Sequence, residues 1–329
     1  MAHEQALQWL DRLTALPPLV NTLARLAKPR HARPVQVFGL TFPNAVGLAA
    51  GFDKEAAVWP ALMALGFGHV EVGTVTRFAQ NGNEKPRIFR YSKEAALINR
   101  LGFPNDGADA VASRLAYWRE RYPKLPPVGV NIGKSRNAEL GEAVEDYLGS
   151  FRLLAPHADY VAINVSSPNT PNLRNLQSRD ALEELLVALQ AENNGDGHKP
   201  LLLKIAPDLS FRQIDEILEV CLAQRVDGII ATNTTLSRPR AFSGPDQTGG
   251  LSGLPLHERA VEIVRYLHRA TDGRLPIVGV GGVHDEVSAG RMADAGATLV
   301  QLYTGLVYKG PLVARKLANT FAWQQRPWV

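Results

Sequence analysis

The sequence predicts an α/β fold: a (β/α)8 TIM barrel preceded by a short helical extension. Two observations carry this. After Gln36, eight short runs rich in Val, Ile and Leu alternate with longer amphipathic segments over the remaining 293 residues. That is the pattern of parallel strands buried on both faces and joined by crossover helices. In addition, each run ends in polar or glycine residues, at the edge where a barrel of this kind builds its active site. A doubly wound open sheet uses the same elements, so the strand count alone leaves closure open.

The elements follow in order. The first 36 residues read as two helices. Ala6, Leu10 and Leu13 recur at helical spacing, Leu7 and Trp9 widen the face, and Pro17-Pro18 ends the run. Leu19, Val20, Leu23, Leu26 and Ala27 mark a second stripe. Two such helices cannot bury their apolar faces alone, so they pack on the body, on a partner or on lipid. Candidate strands lie at 45–50, 69–74, 128–132, 160–165, 201–205, 228–231, 276–280 and 299–303. Helical stripes include Leu182/Leu185/Leu186/Leu189 and Ile214/Ile217/Leu218/Cys221/Leu222, the second opened by a capping box, Ser210-Phe-Arg-Gln213. The connections 75–104 and 235–255 are far longer than ordinary loops, which makes them candidates for functional structure, and 168–178 is a candidate lid. The division is a helical segment at 1–36 and a barrel at 37–329.

Charge follows that division. The chain carries 36 Lys+Arg against 32 Asp+Glu, a net +4. Residues 1–36 hold +3 of it, and the body has 31 basic against 30 acidic side chains. A nearly neutral body argues against a nucleic-acid binder, which needs a broad basic face. A single cysteine excludes an intrachain disulfide framework and suits a reducing, cytoplasmic compartment. No apolar run approaches the ~20 residues of a membrane span, and the N-terminus lacks a secretory signal. Contact with a membrane surface stays open.

The strand ends carry the chemistry: Lys54, Thr74, Asn131, Asn164, Lys204, Thr232-Asn233, Gly281-Gly282 and Tyr303-Thr304. Any one of them is ordinarily a cap or turn former. A set on every unit converges on one mouth if the barrel closes. Ile277-Val-Gly-Val-Gly-Gly282 and Gln301-Leu-Tyr-Thr-Gly305 end the last two runs in small residues, the usual place for a phosphate in a barrel. Gly129-Val-Asn-Ile-Gly-Lys-Ser135 has three residues between its glycines where a P-loop needs four. The eight histidines show no metal-ligand spacing, so no metal is expected. Cys221 falls on an apolar stripe and reads as a core thiol. Asn-Val-Ser-Ser-Pro-Asn-Thr at 164–170 is either a polar turn or a site for a planar polar ligand. In the second case Asn99, Asn164, Asn169 and Asn233 pair with ring amides, and Lys54 or Arg100 opposes a carboxylate.

Several long motifs then resemble one family. They are Gly47-Leu-Ala-Ala-Gly-Phe-Asp-Lys54, Leu97-Ile-Asn-Arg-Leu-Gly-Phe103, Ala162-Ile-Asn-Val-Ser-Ser-Pro-Asn-Thr-Pro171, Lys204-Ile-Ala-Pro-Asp-Leu-Ser210, Ile230-Ala-Thr-Asn-Thr-Thr235 and Asp246-Gln-Thr-Gly-Gly-Leu-Ser-Gly253. From about Phe38 onward the chain resembles the dihydroorotate dehydrogenases, specifically the class 2, quinone-dependent branch. The resemblance implies an FMN barrel that oxidises dihydroorotate to orotate in pyrimidine synthesis. It makes Ser167 the catalytic base, where class 1 relatives carry cysteine, with Thr170 and a water near Phe103 as a proton relay. By resemblance Ala50, Gly51, Phe52, Asp53, Lys54, Thr74 and Asn131 hold FMN from the first three units. Asn164, Lys204, Thr232, Gly253, Gly282, Tyr303 and Thr304 complete that set, with the Lys204 cation at the flavin N1–C2 edge. Lys54, Asn99, Arg100, Leu101, Gly102, Phe103, Asn164, Asn169, Asn233 and Thr234 hold the substrate.

The branch also implies a membrane quinone, entering between the two N-terminal helices beside His3 and Arg90. That makes the protein peripheral, on the cytoplasmic face of the inner membrane. Two departures from the family pattern stand out. Thr76-Arg-Phe-Ala-Gln-Asn-Gly-Asn83 lacks the prolines usual there, and Pro104 replaces a common Asn. A soluble acceptor (fumarate or NAD) and a non-catalytic barrel sensing a phosphate ligand remain the alternatives.

Overall fold

The computed structural model describes residues 2–194 and 197–320. Eight parallel strands close into a barrel: β1 (Val46–Leu48), β2 (His69–Val75), β3 (Val128–Ile132), β4 (Tyr160–Asn164), β5 (Leu201–Ile205), β6 (Gly228–Ala231), β7 (Ile277–Val280) and β8 (Leu299–Leu302). β8 returns to β1 with Gln301 opposite Gly47, and that pairing excludes the open sheet. Every residue of all eight strands is buried, which is why the sequence shows continuous apolar runs rather than alternation. The expected strands match to within two residues, and Tyr303 opens the helix Thr304–Lys309 instead of ending β8. Ser210 and Gln213 form the reciprocal capping box, and Cys221 is fully buried.

The extension forms α1 (Ala2–Thr14) and α2 (Pro17–Ala27). Pro17 is in the first helical turn of α2, where its missing N–H costs nothing. One face packs on the body: Val20 and Ala27 are buried, and Tyr122 Oη donates to the Thr14 carbonyl at 2.7 Å. The other face leaves Trp9 73%, Leu19 51% and Leu26 68% exposed. No helix among the described residues is long and apolar enough to cross a membrane.

Three strands and a hairpin lie outside the expected set. The hairpin Val35–Val37/Leu40–Phe42 closes the N-terminal end of the barrel. Its Phe42 ring meets His69 edge-on at 5.2 Å, and Phe38 lies so near Gly228 that a Cβ there would stand 2.6 Å from its ring. The hairpin straddles position 36, so helical extension and barrel share it. At the opposite end the two long connections fold onto one another. Ile88–Tyr91, Ala96–Asn99 and Gly250–Gly253 make an antiparallel sheet over the mouth, with Asn99 opposite both Ile88 and Gly250. Ala96, Ile98 and Leu251 form its own small core with Phe89, Tyr91 and Phe242.

Candidate active site

The C-terminal ends of the strands, roofed by this sheet, enclose a cavity of ≈ 1060 Å³ counting its open mouth. Its walls bring together most of the expected residues. Ala50, Gly51, Lys54 and Thr74 come from the first two units, and Asn164, Ser167, Asn169 and Lys204 from the fourth and fifth. Thr232, Asn233, Thr234, Gly282, Tyr303 and Thr304 follow from the last three, and Asn99, Leu101, Gly102, Phe103 and Gly253 from the roof and its loops.

One wall is a continuous amide and hydroxyl network. Thr74 Oγ1 donates to Asn131 Oδ1 at 2.5 Å, and Asn164 Nδ2 donates to Thr74 Oγ1 at 2.9 Å. Asn164 Oδ1 accepts from Asn233 Nδ2 at 3.2 Å and from Ser166 Oγ at 3.0 Å. On the neighbouring loop Asn169 Nδ2 donates to Asn99 Oδ1 at 3.2 Å, and the Asn169 N–H donates to Ser167 Oγ at 3.3 Å. Each amide is thereby oriented before a ligand arrives, which suits a ligand with alternating ring donors and acceptors.

Beneath lies an ion pair that the sequence reading missed. Lys204 Nζ stands 3.2 Å from Glu71 Oε1, with side chains 6% and 0% exposed. Asn131 Nδ2 donates to the same oxygen at 2.8 Å, and Gln301 Nε2 donates to Glu71 Oε2 at 2.9 Å. Below Glu71, burial pushes the His69 imidazole down to about 4, which keeps it neutral. His69-Val-Glu-Val was itself a signal: alternate residues of a strand share a face, so His69 and Glu71 belong to the same side.

At the mouth, burial and the nearby Arg87 cation lower Lys54 to about 8. Two glycines of the cavity wall stand at positive φ. Gly282 has φ +67, and a Cβ there would come within 2.6 Å of His257 Cβ. Gly51, at φ +104, lies against the Tyr303 ring. At Gly282 the chain's own packing, against His257 and the Gly253 carbonyl, leaves no room for a side chain. With Gly282 after the seventh strand, Thr304 after the eighth and Lys204 within, the donor set fits a phosphate-bearing, electron-accepting ring.

Other expected residues stand outside the cavity wall. The Asp53 carboxylate faces away and accepts from the Ala57 and Val58 N–H groups at 2.9 and 2.8 Å. Phe52 packs against Tyr303, ring centroids 6.0 Å apart. Asn131 is fully buried and acts through Thr74 and Asn164. Arg100 donates to Thr248 Oγ1 at 2.8 Å and covers the Phe89 ring. Thr170 Oγ1 is buried with no hydrogen-bond partner among the described residues. Arg90 is exposed on the roof, and its charge reaches Tyr303. His3 falls in α1, but its side chain lies outside the described residues.

The loop 76–83 is pinned at Gln80. Gln80 bridges to Asn105 and donates through Nε2 to the Gly102 carbonyl at 2.9 Å. Beside Pro104, the buried Asn105 supplies an amide that donates to Thr76 Oγ1 at 2.8 Å and to the Phe103 carbonyl at 2.9 Å.

Comparison with known proteins agrees with this architecture. The family model described as dihydroorotate dehydrogenase matches residues 33–322. A dihydroorotate dehydrogenase (quinone) of Salinispora arenicola is 54% identical over 321 residues, covering 96% of this chain and 92% of that one. Its namesake from Chloroflexus aurantiacus is 51% identical over 328 residues, covering 96% and 89%. Among solved structures, ligand-free DHODH from Eimeria tenella superposes with a TM-score of 0.88 at 35% identity, covering 99% of both chains. The same organism's DHODH in complex with ferulenol gives 0.85 at 36%, covering 96% and 89%.

Proposed function

This chain belongs to the dihydroorotate dehydrogenase family, and on that premise we propose that it oxidises (S)-dihydroorotate to orotate for pyrimidine synthesis, with FMN as prosthetic group and a membrane quinone as acceptor. The observation that carries the reading is Ser167 on the cavity wall among Asn99, Asn164, Asn169 and Asn233. The chain's single thiol, Cys221, is buried in the distant helix Phe211–Ala223. With no thiol at the cavity, the resemblance to the quinone-dependent branch makes Ser167 the proposed base.

Thr74, Asn164, Lys204, Thr232, Gly282 and Thr304 would hold the flavin, with Asn131 behind them. When bound, FMN supplies the acceptor for the hydride leaving C6 of the substrate. The rest is done by this chain's own residues. Asn99, Asn164, Asn169 and Asn233 hold the ring amides, and protonated Lys54 opposes the carboxylate. Ser167 removes the C5 proton. A serine hydroxyl is a weak base and needs an acceptor for its own proton. Here the Asn169 N–H already donates to Ser167 Oγ, which leaves the hydroxyl proton free to be passed on. Thr170 Oγ1, buried with no partner among the described residues, supports the proposal that Thr170 is the next carrier. The buried Lys204 cation would favour negative charge on a flavin bound there.

Residues 1–36 form the membrane- and quinone-associated segment in this reading. Trp9, Leu19 and Leu26 face out from α1 and α2 beside a surplus of basic side chains, the composition of a membrane-surface helical pair. In this reading the enzyme sits peripherally on the membrane, on its cytoplasmic side. His3 and Arg90 are the proposed quinone contacts.

Ser167→Ala tests the assignment. The variant should keep FMN and bind orotate with unchanged affinity, yet fail to bleach its flavin with dihydroorotate. Near-normal bleaching would remove Ser167 from the mechanism.

A further inference from the structure

We propose that Arg174 and Asp208 form a clasp that positions the base-bearing loop against the substrate loop, so that Arg174 is a positioning residue for C5 deprotonation. Neither residue lines the cavity. Arg174 lies on the short 3-10 turn Leu173–Gln177, just beyond Ser167 and Thr170. Its guanidinium spreads over three elements. Nε donates to the Ser166 carbonyl at 3.0 Å, Nη2 to the Thr234 carbonyl at 3.1 Å, and Nη1 to Asp208 Oδ2 at 2.7 Å. Ser166 is the residue before the base, and Thr234 is a proposed substrate contact. One rigid group thus fixes the separation of two neighbouring loops, one carrying the base and the other a proposed substrate contact, which also touch through Asn233 Nδ2 and Ser166 Oγ at 3.0 Å.

Asp208 is the anchor, from the loop after β5. Its Oδ1 accepts from Thr235 Oγ1 and, at 3.2 Å, from Ser237 Oγ; its Oδ2 also accepts the Leu236 N–H at 3.1 Å. Burial alone would raise Asp208, but the Thr235 hydroxyl, the Arg174 cation and the Leu236 N–H hold it below the usual carboxylate range. Thr235 in turn exchanges backbone hydrogen bonds with Leu251 of the roof, at 2.8 and 3.0 Å. The 3-10 turn is strapped down a second time, because the Ala206 N–H donates to Gln177 Oε1 at 3.0 Å. The clasp therefore joins the base loop, the substrate loop and, through Thr235, the strand that pairs with Asn99.

The chemistry needs an arginine. Its planar fork reaches two carbonyls and a carboxylate in fixed directions, whereas a lysine ammonium is a point charge on a flexible stem. Proton transfer from carbon requires close alignment of base and substrate, and a misplacement of about 1 Å is enough to cost roughly 100-fold in rate. The ion pair itself is only partly buried, both side chains 22% exposed, so its worth lies in geometry more than in stability.

The inference rests on Ser167 being the base, and the experiment separates the two. FMN-loaded parent, Arg174→Ala, Arg174→Lys and Asp208→Asn are mixed anaerobically with dihydroorotate, and the photoreduced proteins with a soluble quinone. Orotate affinity is measured by calorimetry, and thermal midpoints by circular dichroism. The clasp predicts at least a tenfold fall in the flavin-reduction rate of R174A. Quinone reoxidation and orotate affinity should stay within threefold of the parent. R174K should not recover the rate, and D208N should slow reduction but add nothing in the R174A background. A smaller fall, a parallel fall in both half-reactions, full rescue by lysine, or additive losses would each overturn the clasp. If R174A does not fold, R174K and D208N carry the same readings. If the parent itself does not bleach, the functional reading fails, and the clasp with it.

Discussion

Replacing Glu71 by glutamine removes one charge from the interior of the barrel and almost no volume. Lys204 Nζ lies 3.2 Å from Glu71 Oε1, and neither side chain is appreciably exposed. At an effective dielectric constant of ~20, two unit charges at that distance attract by about 5 kcal/mol. Removing one partner of a buried pair typically costs ~3–5 kcal/mol, because the survivor stays desolvated and uncompensated. The new amide also brings N–H donors into a place where Asn131, Gln301 and Lys204 already donate. Glu71→Gln should therefore lose ~3–5 kcal/mol, a large share of the ~5–15 kcal/mol typical of folded domains. Urea unfolding of the flavin-free protein measures this as a lower midpoint at an unchanged slope. Lys204→Met in the same chain removes the stranded cation, so the double variant should be more stable than the two single losses combined, with a coupling of at least ~2 kcal/mol. Additive losses, or an E71Q protein within ~1 kcal/mol of the parent, would show that the pair does not work as described.

Three other outcomes are expected. Lys54 in the free protein sits at about 8, held down by burial and then by Arg87. Only its protonated form opposes a carboxylate, so orotate affinity should be flat below pH 8 and fall about tenfold per unit above it; Lys54→Met should weaken binding and flatten the profile. Exchanging Trp9, Leu19 and Leu26 for serine takes apolar side chains off the outer face of α1 and α2. Each such side chain contributes ~1.5–3 kcal/mol when fully buried, so cosedimentation with anionic vesicles should drop at least tenfold while dihydroorotate still bleaches the flavin. Asn105→Ala should strip the buried amide that holds Thr76 and Phe103, raising KM for dihydroorotate several-fold with little change in FMN content.

The eight barrel strands were legible because parallel strands buried on both faces leave an uninterrupted apolar run in the sequence. The strand-end residues were legible as a set because the fold brings every such end to one mouth. The roof was not. Asn99 pairs with Gly250, 151 residues away, and strands of only four residues, one of them Gly-Leu-Ser-Gly, give no periodicity to read. The hairpin at 35–42 was hidden in the same way, three residues to a strand. Glu71 escaped notice because a single acid in a run of valines looks like noise until closure places it under Lys204. In the sequence Arg174 and Asp208 look like any polar loop residues. Their meaning depends on three loops meeting, which local spacing does not encode. Asp53 is the opposite case: a residue inside a recognisable motif whose carboxylate serves the backbone of its own turn.

The account stands most directly on one measurement. The FMN-loaded protein is mixed with dihydroorotate without oxygen, the flavin's visible absorbance is followed, and a quinone or fumarate is then added. The account predicts rapid bleaching with formation of orotate, and recovery of the absorbance with quinone but not with fumarate. A flavin that stays oxidised would contradict the proposed chemistry, and recovery with fumarate alone would contradict the proposed acceptor.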